Sequence, residues 1–350
     1  MRTSAGNGRH VALVYNADEG PVPDTPGDHG NSSDMRTMIR RMARAMRRAG
    51  YRVTVVPLVR DLMAFQRRLR TLRPDVVFNQ YDDVVHGALY EMRLPAVVRM
   101  MGFPVTGSPA LAIGLTRYKY MAASLLQGAG IPVPGCTEVL ARLSDVNRHA
   151  WRFPLIVQPS QEHAGIGLER DSIVSTKRAL REKVRRILGK YGQPALAQVF
   201  LPGREFNVSI IGGRRLRVLP LAEVDYSALP ASIPPIMSYA AKWIETTPEY
   251  QKTSVVCPAQ VEPELAREIS AVSLRAFRAV GAWGYGRVDI RLDAEGHPRV
   301  LEVNCNACLD EGLGLARSAS HAGITYPRLL HLIISAAFEG PPNDLSLPMM

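Results

Sequence analysis

Two short segments near the end of the chain carry side chains suited to phosphate chemistry. Gly286-Arg-Val-Asp-Ile-Arg-Leu-Asp293 and Arg299-Val-Leu-Glu-Val-Asn304 read as antiparallel strands around the turn Ala294-Glu-Gly-His297. Side chains on a strand alternate faces, so Arg287, Asp289 and Arg291 share one side of the first strand, and Glu302 and Asn304 one side of the second. If the strands pair in register, Asp289, Glu302 and Asn304 meet at one spot with Arg287 beside them. Three hard oxygen donors of this kind suit Mg²⁺, which keeps its waters and binds through a few carboxylates plus substrate phosphates. The opposite face, Val288, Ile290 and Leu292 with Leu301 and Val303, is apolar and fits a buried sheet. The same spacing also describes an exposed hairpin laced with ion pairs, and spacing alone leaves both readings open.

Lysine usage adds a second signal. Of 43 basic residues only six are lysine: Lys119, Lys177, Lys183, Lys190, Lys242 and Lys252. In a chain that uses arginine for nearly every positive charge, a lysine marks a place where a compact, rotatable ammonium is wanted. Lys177, Lys183 and Lys190 lie on a charged amphipathic helix that explains them, whereas Lys119 and Lys242 have no such company. The net charge of +11 is local: twelve arginines face one acid, Asp61, between residues 36 and 73. There Met38, Ile39, Met42 and Met46 recur at helical spacing and arginines fill the other faces, as on a surface helix. Few aromatics are interleaved for base stacking, so a nucleic-acid partner is not expected.

These side chains need elements to hold them. Residues 10–15, 51–57 and 75–79 read as strands alternating with helices at the arginine-rich segment and at 62–72, an order that argues for a parallel sheet. Ligands of such sheets sit beyond the carboxyl ends of the strands, where Asp18, Glu19, the segment from Asp28 to Asp34, and residues 81–86 supply polar loops. Helices follow at 91–101 and 115–127. After Gly128-Ala-Gly-Ile-Pro-Val-Pro134 a second unit is expected, with strands at 154–158 and 195–200 around a helix at 176–190. From Glu205 strands dominate, at 206–211 and 216–221, before a loop to Pro235, a helix from about 263 to 280, the hairpin, and a closing helix. The class is α/β, turning α+β in the C-terminal part. At 350 residues two or three domains are expected, and four cysteines make no disulfide framework. Strand-like residues begin at His10, leaving no room for a signal peptide, and the apolar run near residues 329–338 is far short of the roughly 20 residues of a membrane span. A cytoplasmic protein without membrane partners is the expectation.

The motif order resembles a known family, the ATP-grasp carboxylate–amine ligases of the D-alanine–D-alanine ligase type. The resemblance runs from about His10 to Ile334. It rests on Leu301-Glu-Val-Asn304, Ala322-Gly-Ile-Thr-Tyr326, Trp283-Gly-Tyr-Gly-Arg-Val-Asp289, Pro202-Gly-Arg-Glu-Phe206, Gly102-Phe-Pro-Val-Thr-Gly-Ser108, Lys119 before Gln127-Gly-Ala-Gly-Ile-Pro-Val133, and Phe153-Pro-Leu-Ile-Val-Gln-Pro-Ser160. It implies a three-domain ATP-grasp fold: an N-terminal parallel-sheet domain at 1–118, a central lid at 119–200, a catalytic domain at 201–340 and a tail at 341–350. It also implies ATP and Mg²⁺, or Mn²⁺ in its place, as cofactors, small-molecule carboxylate and amine substrates, and a homodimer. By position, Lys119 would contact phosphate, Gln198, Phe200 and Leu201 would line the adenine site, and Glu205 would hold the ribose. Lys242 would reach the γ-phosphate, Asp289, Glu302 and Asn304 would bind the metal, and Arg287 would stabilise the tetrahedral oxyanion. Such enzymes turn a carboxylate into an acyl phosphate that an amine then attacks, with lysines, arginine and metal neutralising the moving charge.

The departures from the family pattern are specific. Gln158 stands where a lysine usually precedes Pro-Ser, and losing that charge costs about 1.5–3 kcal/mol per charged hydrogen bond, or marks a chain that binds nucleotide in a regulatory role without turnover. The loop Glu162-His-Ala-Gly-Ile-Gly167 keeps glycines for close approach to phosphate but lacks the family's serines, with His163 an alternative donor or a plain loop residue. The first-substrate signature near the N-terminus and the Pro-Gly stretch after Asn304 are both replaced, so D-Ala-D-Ala is not the expected product. Cys305 and Cys308 form a Cys-x-x-Cys, but Cys136 and Cys257 are isolated and the pair follows a strand, which favours a pocket-lining loop over zinc or redox use.

Overall fold

A computed structural model of the chain describes residues 6–16, 32–58, 61–81, 88–135, 137–162 and 165–341, with residues 32–34 and 88–90 described by backbone alone. Asp18, Glu19, Asp28, residues 82–87, Cys136, His163 and the tail from residue 342 lie outside them. Three sheets are built from the described residues. The first alternates β1 (His10–Asn16), α1 (Ser32–Arg48), β2 (Arg52–Leu58), α2 (Leu62–Leu72) and β3 (Val76–Gln80), with parallel strands in the order β2-β1-β3. Val11, Ala12, Leu13 and Val14 are all fully buried, as expected of a parallel strand covered on both faces. On α1, Met38, Ile39, Met42 and Met46 turn inward while Arg36, Arg40, Arg44 and Arg48 are exposed, so the arginine-rich segment is an amphipathic surface helix. Asp61 caps α2 through its carboxylate, which accepts from Ala64 N at 2.8 Å.

The sheet is followed by α3 (Ala88–Met100), α4 (Ala110–Arg117) and α5 (Lys119–Gly128). A single helix over 115–127 was the expectation; the chain instead breaks at Tyr118, which is extended (φ −94, ψ 91). Just before the break the Thr116 hydroxyl donates to the carbonyls of Ala112 and Ile113, a local competition that weakens a helix end. The break makes Lys119 the first residue of α5. Residues 110–133 lie on either side of the expected boundary at 118/119, and Ala112, Ile113, Leu126 and Ile131 all join the core of the C-terminal sheet.

The second sheet orders β4 (Glu138–Leu140), β5 (Leu155–Pro159), β6 (Ile173–Val174) and β7 (Ala195–Val199) as β4-β7-β5-β6, all antiparallel. Its apolar face, with Leu155, Val157, Ala195 and Ala197, is covered by Leu180, Val184 and Ile187 of α6 (Lys177–Tyr191). The third comprises β8 (Glu205–Gly212), β9 (Arg217–Val218), β10 (Ala222–Asp225), β11 (Ser254–Val256), β12 (Gly284–Leu292) and β13 (Pro298–Asn304), with α7 (Tyr239–Trp243) and α8 (Pro248–Lys252) between β10 and β11, and α9 (Pro263–Ala279) before β12. Its order is β11-β10-β8-β12-β13 with β9 on β8. The strand expected at 216–221 is thus only Arg217–Val218, ending before Pro220, which has no N–H to give a ladder. Part of the loop expected after Leu221 is instead strand β10, with Ala222 and Val224 buried in alternation. Helix α9 packs Ile269, Ala276 and Phe277 on the apolar face of this sheet, and α10 (Gly314–His321) and α11 (Tyr326–Glu339) join it to the N-terminal sheet through a shared core.

The hairpin of β12 and β13 carries a β-bulge. Asp289 lies opposite Glu302, but Ile290 lies opposite Val300, so Leu301 is the extra residue. Val300 is fully buried and Leu301 only half-buried. Leu301 was expected on the apolar face; the bulge gives that place to Val300 while keeping Glu302 and Asn304 beside Asp289 and Arg287.

Candidate active site

Strands β8 and β12 pair Glu205 with Arg291, Asn207 with Asp289, and Ser209 with Arg287. Across the other edge of β12, Asp289 faces Glu302 and Arg287 faces Asn304. One polar face therefore spans three strands, backed by Val208, Ile210, Val288, Ile290 and Val300 in the core. Asp289 and Glu302 directly opposite each other repel unless cations intervene. Here Arg287 holds Asp289 with two bonds, Nε to Oδ1 at 2.6 Å and Nη2 to Oδ2 at 2.9 Å. Asn207 Nδ2 also donates to Asp289 Oδ1, at 3.0 Å. Lys119 Nζ donates to Glu302 Oε2 at 2.7 Å, which the break before α5 makes geometrically possible.

Lys242, on the five-residue helix α7 capped by Ser238, is half-buried in the same field. Lost hydration lowers its ammonium pKa; Glu302 and Asp289 oppose this, while Arg287 and Lys119 reinforce it. The paired Asp289 carboxylate raises the Arg287 pKa further above its already high value. Burial pushes the Asp289 carboxyl above its ordinary range, with Glu302 adding to the push and Arg287 opposing it. The face thus holds three cations and two carboxylates drawn from four stretches of sequence, each ion at a cost in hydration and offset by neighbours. A divalent cation with phosphates is the ligand such a face fits: Asp289, Glu302 and Asn304 offer hard oxygens on one side, and the paired carboxylates call for a cation between them.

Beside it stands a second group. Glu205 is buried and its Oε2 accepts from Arg291 Nη1 and from the Tyr226 hydroxyl, both at 2.9 Å. The Arg291 guanidinium lies 5.0 Å from the Phe200 ring centre and 5.7 Å from that of Tyr226. Burial raises the Glu205 carboxyl, against the pull of Arg291 and Tyr226. Leu201 is buried next to Phe200, and Gln198 is buried with its Nε2 donating to Thr137 Oγ1 at 3.1 Å. On β5, Gln158 lies opposite Leu196 and Ile156 opposite Gln198, so the two glutamines share the face turned away from α6. The Gln158 side chain, unlike its backbone in the strand ladder, makes no hydrogen bond to the described residues.

The glycines of the loop before β6 have a packing role. A Cβ on Gly165 would lie 2.9 Å from Tyr239 N, and one on Gly167 would lie 2.4 Å from Pro159 Cγ. Tyr239 N donates to Leu168 O at 3.2 Å, and Arg170 grips the buried Glu249 of α8 with bonds of 2.5 and 3.0 Å. The central sheet is thereby fastened to the segment that carries Lys242. Of the cysteines, Cys305 is buried with its thiol pushed up to about 11 by loss of hydration, whereas Cys308 is exposed. Cys257 stands elsewhere, 3.6 Å from the Ser318 hydroxyl.

Sequence reading brought together Lys119, Lys242, Arg287, Asp289, Glu302 and Asn304, and set Gln198, Phe200, Leu201 and Glu205 near one another. It gave no site role to Asn207, Arg291 or Tyr226, although it placed Arg291 on the face of Arg287 and Asp289. For the first two a signal existed: Glu205-Phe-Asn-Val-Ser209 alternates as the hairpin does, and Arg291 follows Asp289 by two. Tyr226 lies in a loop segment with no periodicity to mark it.

Comparison with known proteins gives the site its context. A family model described as D-ala D-ala ligase C-terminus matches residues 125–335. The chain belongs to the D-alanine–D-alanine ligase family. Uncharacterized protein y4sG of Sinorhizobium fredii is 30% identical over 322 residues, spanning 91% of this chain and 90% of its own. A D-alanine–D-alanine ligase of Rhodospirillum rubrum is 29% identical over 295 residues, 84% of this chain and 89% of its own. Among solved structures, the D-alanine–D-alanine ligase from Bacillus anthracis complexed with ATP has a TM-score of 0.70 at 20% identity, covering 95% of this chain and 98% of that one. The Coxiella burnetii enzyme has a TM-score of 0.70 at 15% identity. The fold is ATP-grasp, the enzyme class is ATP-dependent ligase, and the family's cofactors are ATP and Mg²⁺. No helix among the described residues is long and apolar enough to cross a membrane.

Proposed function

We propose that this ATP-grasp chain joins a small carboxylate to an amine through an acyl phosphate, releasing ADP and phosphate, on substrates of amino-acid or dipeptide type other than two D-alanines. The observation that carries the reading is the three-strand polar face, where Lys119, Lys242 and Arg287 stand among Asp289 and Glu302. Asp289, Glu302 and Asn304 would hold Mg²⁺, which when bound supplies charge neutralisation for phosphates. Lys119 and Lys242 bind and orient the phosphate oxygens, each trading a carboxylate neighbour for phosphate. The substrate carboxylate takes the phosphoryl group, the amine adds to the acyl carbon, and the fixed Arg287 guanidinium stabilises the oxyanion before phosphate leaves. Phe200, Leu201 and Gln198 line the adenine side, and Glu205 faces the ribose, held ready by Arg291 and Tyr226.

The units 1–118, 119–200 and 201–340 act as substrate, lid and catalytic parts in this reading, with 341–350 a tail and residues 110–133 bridging the first and third. A homodimer in the cytoplasm, without nucleic-acid partners, belongs to the same proposal. The replaced loop at 305–312, with a buried Cys305 and an exposed Cys308, supports a product other than D-Ala-D-Ala. Gln158 favours a second reading, a nucleotide-binding regulator with weakened turnover, because a neutral amide occupies the face where a lysine is usual.

The test is incubation with ATP, Mg²⁺ and divided pools of amino acids and small acids, with hydroxylamine replacing the amine in a parallel arm. Pool-dependent ADP release, and a hydroxamate in the parallel arm, is the expected result; nucleotide binding without either turns the weight to the regulatory reading. Gln158→Lys then asks whether turnover is restored.

A further inference from the structure

The loop leaving β13 is tied down from three directions by one side chain. Asn306 Oδ1 accepts from the Tyr285 hydroxyl at 2.8 Å, and Nδ2 donates to Tyr81 O at 2.9 Å and to Glu91 Oε1 at 2.7 Å. These partners come from three places: Tyr285 from β12, Tyr81 from the residue just after β3, and Glu91 from α3. Glu91 is buried and ion-paired with Arg117, two residues before Lys119. Gln80 Nε2 donates to the same Tyr285 hydroxyl at 3.2 Å. Both amide protons of Asn306 are used, and buried bonds of this kind are expensive to leave unmade. The backbone N–H of Asn306 in turn donates to Asn304 Oδ1 at 3.1 Å.

We propose that Asn306 is a positioning residue for the metal site, acting through Asn304. The deduction rests on the ligase reading of that site and goes beyond it. The N–H of Asn306 takes one lone pair of Asn304 Oδ1 and fixes which way the amide oxygen points, leaving the other lone pair for a cation. That N–H is only as well placed as the loop, and the loop is placed by the three side-chain bonds. The network also reaches the head of α5 through Glu91 and Arg117, so the ligand oxygen of Asn304 and the ammonium of Lys119 are held by one connected set of buried groups. Hydrogen-bond partners behind a ligand orient it, and their loss weakens metal binding about 10- to 100-fold.

The experiment is titration of Mn²⁺ into the full-length protein at saturating non-hydrolysable ATP analogue, with free Mn²⁺ read by electron paramagnetic resonance. Asn306→Ala is expected to raise the Mn²⁺ dissociation constant about tenfold, and Tyr285→Phe, which removes one of the three bonds, about threefold. Tyr285→Phe carries the test if Asn306→Ala does not fold. A lowered melting temperature with an unchanged Mn²⁺ constant in a folded variant overturns the proposal, because a purely structural role predicts that pattern. Failure of the wild-type protein to bind Mn²⁺ with the analogue overturns the ligase reading as well, which separates the two.

Discussion

Two clusters in this molecule have the same ionic make-up and opposite character. Beside the central sheet, Glu169 and Asp171 of the turn before β6 meet Lys183, Arg186 and Lys190 of α6. On the C-terminal sheet, Asp289 and Glu302 meet Lys119, Lys242 and Arg287. The first is drawn from residues 169–190, and its carboxylates are about half exposed, at 43% and 52%. There, although lost hydration acts upward, hydrogen bonds from Lys183 and Arg186 bring Asp171 below the ordinary carboxylate range. The second cluster spans residues 119–302, and burial drives Asp289 upward and Lys242 downward. At Asp171 the hydrogen-bonded partners outweigh lost hydration, whereas at Asp289 and Lys242 burial outweighs the partners. Buried ionisable groups shifted by lost hydration and specific charge partners point to a functional site, whereas paired charges near solvent are usually structural.

That contrast is sharpened most by removing an ion from each side. Glu302→Ala is expected to lower ligase turnover on the order of 10³-fold while the fold persists, since several kcal/mol of phosphate-charge stabilisation is lost; steady-state ADP release measures it. Arg287→Lys, which keeps the charge but not the two-pronged geometry, should cost about 10²-fold in kcat, with ATP binding little changed by calorimetry. Lys183→Met is expected to do the reverse, leaving kcat unaltered and lowering stability in urea by about 1–2 kcal/mol, because a nearly buried ammonium with two partners is lost. A turnover loss in Lys183→Met would break the distinction.

The pH dependence gives smaller effects of opposite kind. Lys242 must be protonated to hold phosphate, and its pKa is lowered, so nucleotide affinity should fall on the alkaline side at a lower pH than an ordinary lysine would set. Lys242→Arg should move that limb upward, as read from affinity against pH. Asp171 is depressed in the fold, so its contribution is present above its unfolded pKa and is lost as pH falls through the folded value. Asp171→Asn should therefore cost under about 1 kcal/mol near neutrality, given its exposure, and nothing once acid has protonated both states.

The difference between the clusters was partly legible in the chain. Strand alternation put Asp289, Glu302, Asn304 and Arg287 together, and lysine scarcity singled out Lys119 and Lys242 while the helix around Lys183 explained itself. The parallel N-terminal sheet was legible too, because its short apolar strands alternate with helices at the arginine-rich segment and at 62–72. What escaped depends on contacts that sequence spacing does not encode. The bulge at Leu301 shifts one residue of the alternation, and the break at Tyr118 sets the direction of Lys119. Asn306 reaches Tyr81 and Glu91 across more than two hundred residues. Gly165 and Gly167, expected for close approach to phosphate, also pack so tightly against Tyr239 and Pro159 that neither position has room for a Cβ.

The proposed nucleotide–metal role of the buried cluster can be read directly from binding. Calorimetric titration of ATP with and without Mg²⁺ tests it most directly, on the wild-type protein, Glu302→Ala and Lys183→Met. Mg²⁺-dependent ATP binding is expected in the wild type and in Lys183→Met, with the Mg²⁺ dependence lost in Glu302→Ala. ATP binding absent in the wild type, or unaffected by Glu302→Ala at every Mg²⁺ concentration, would contradict it.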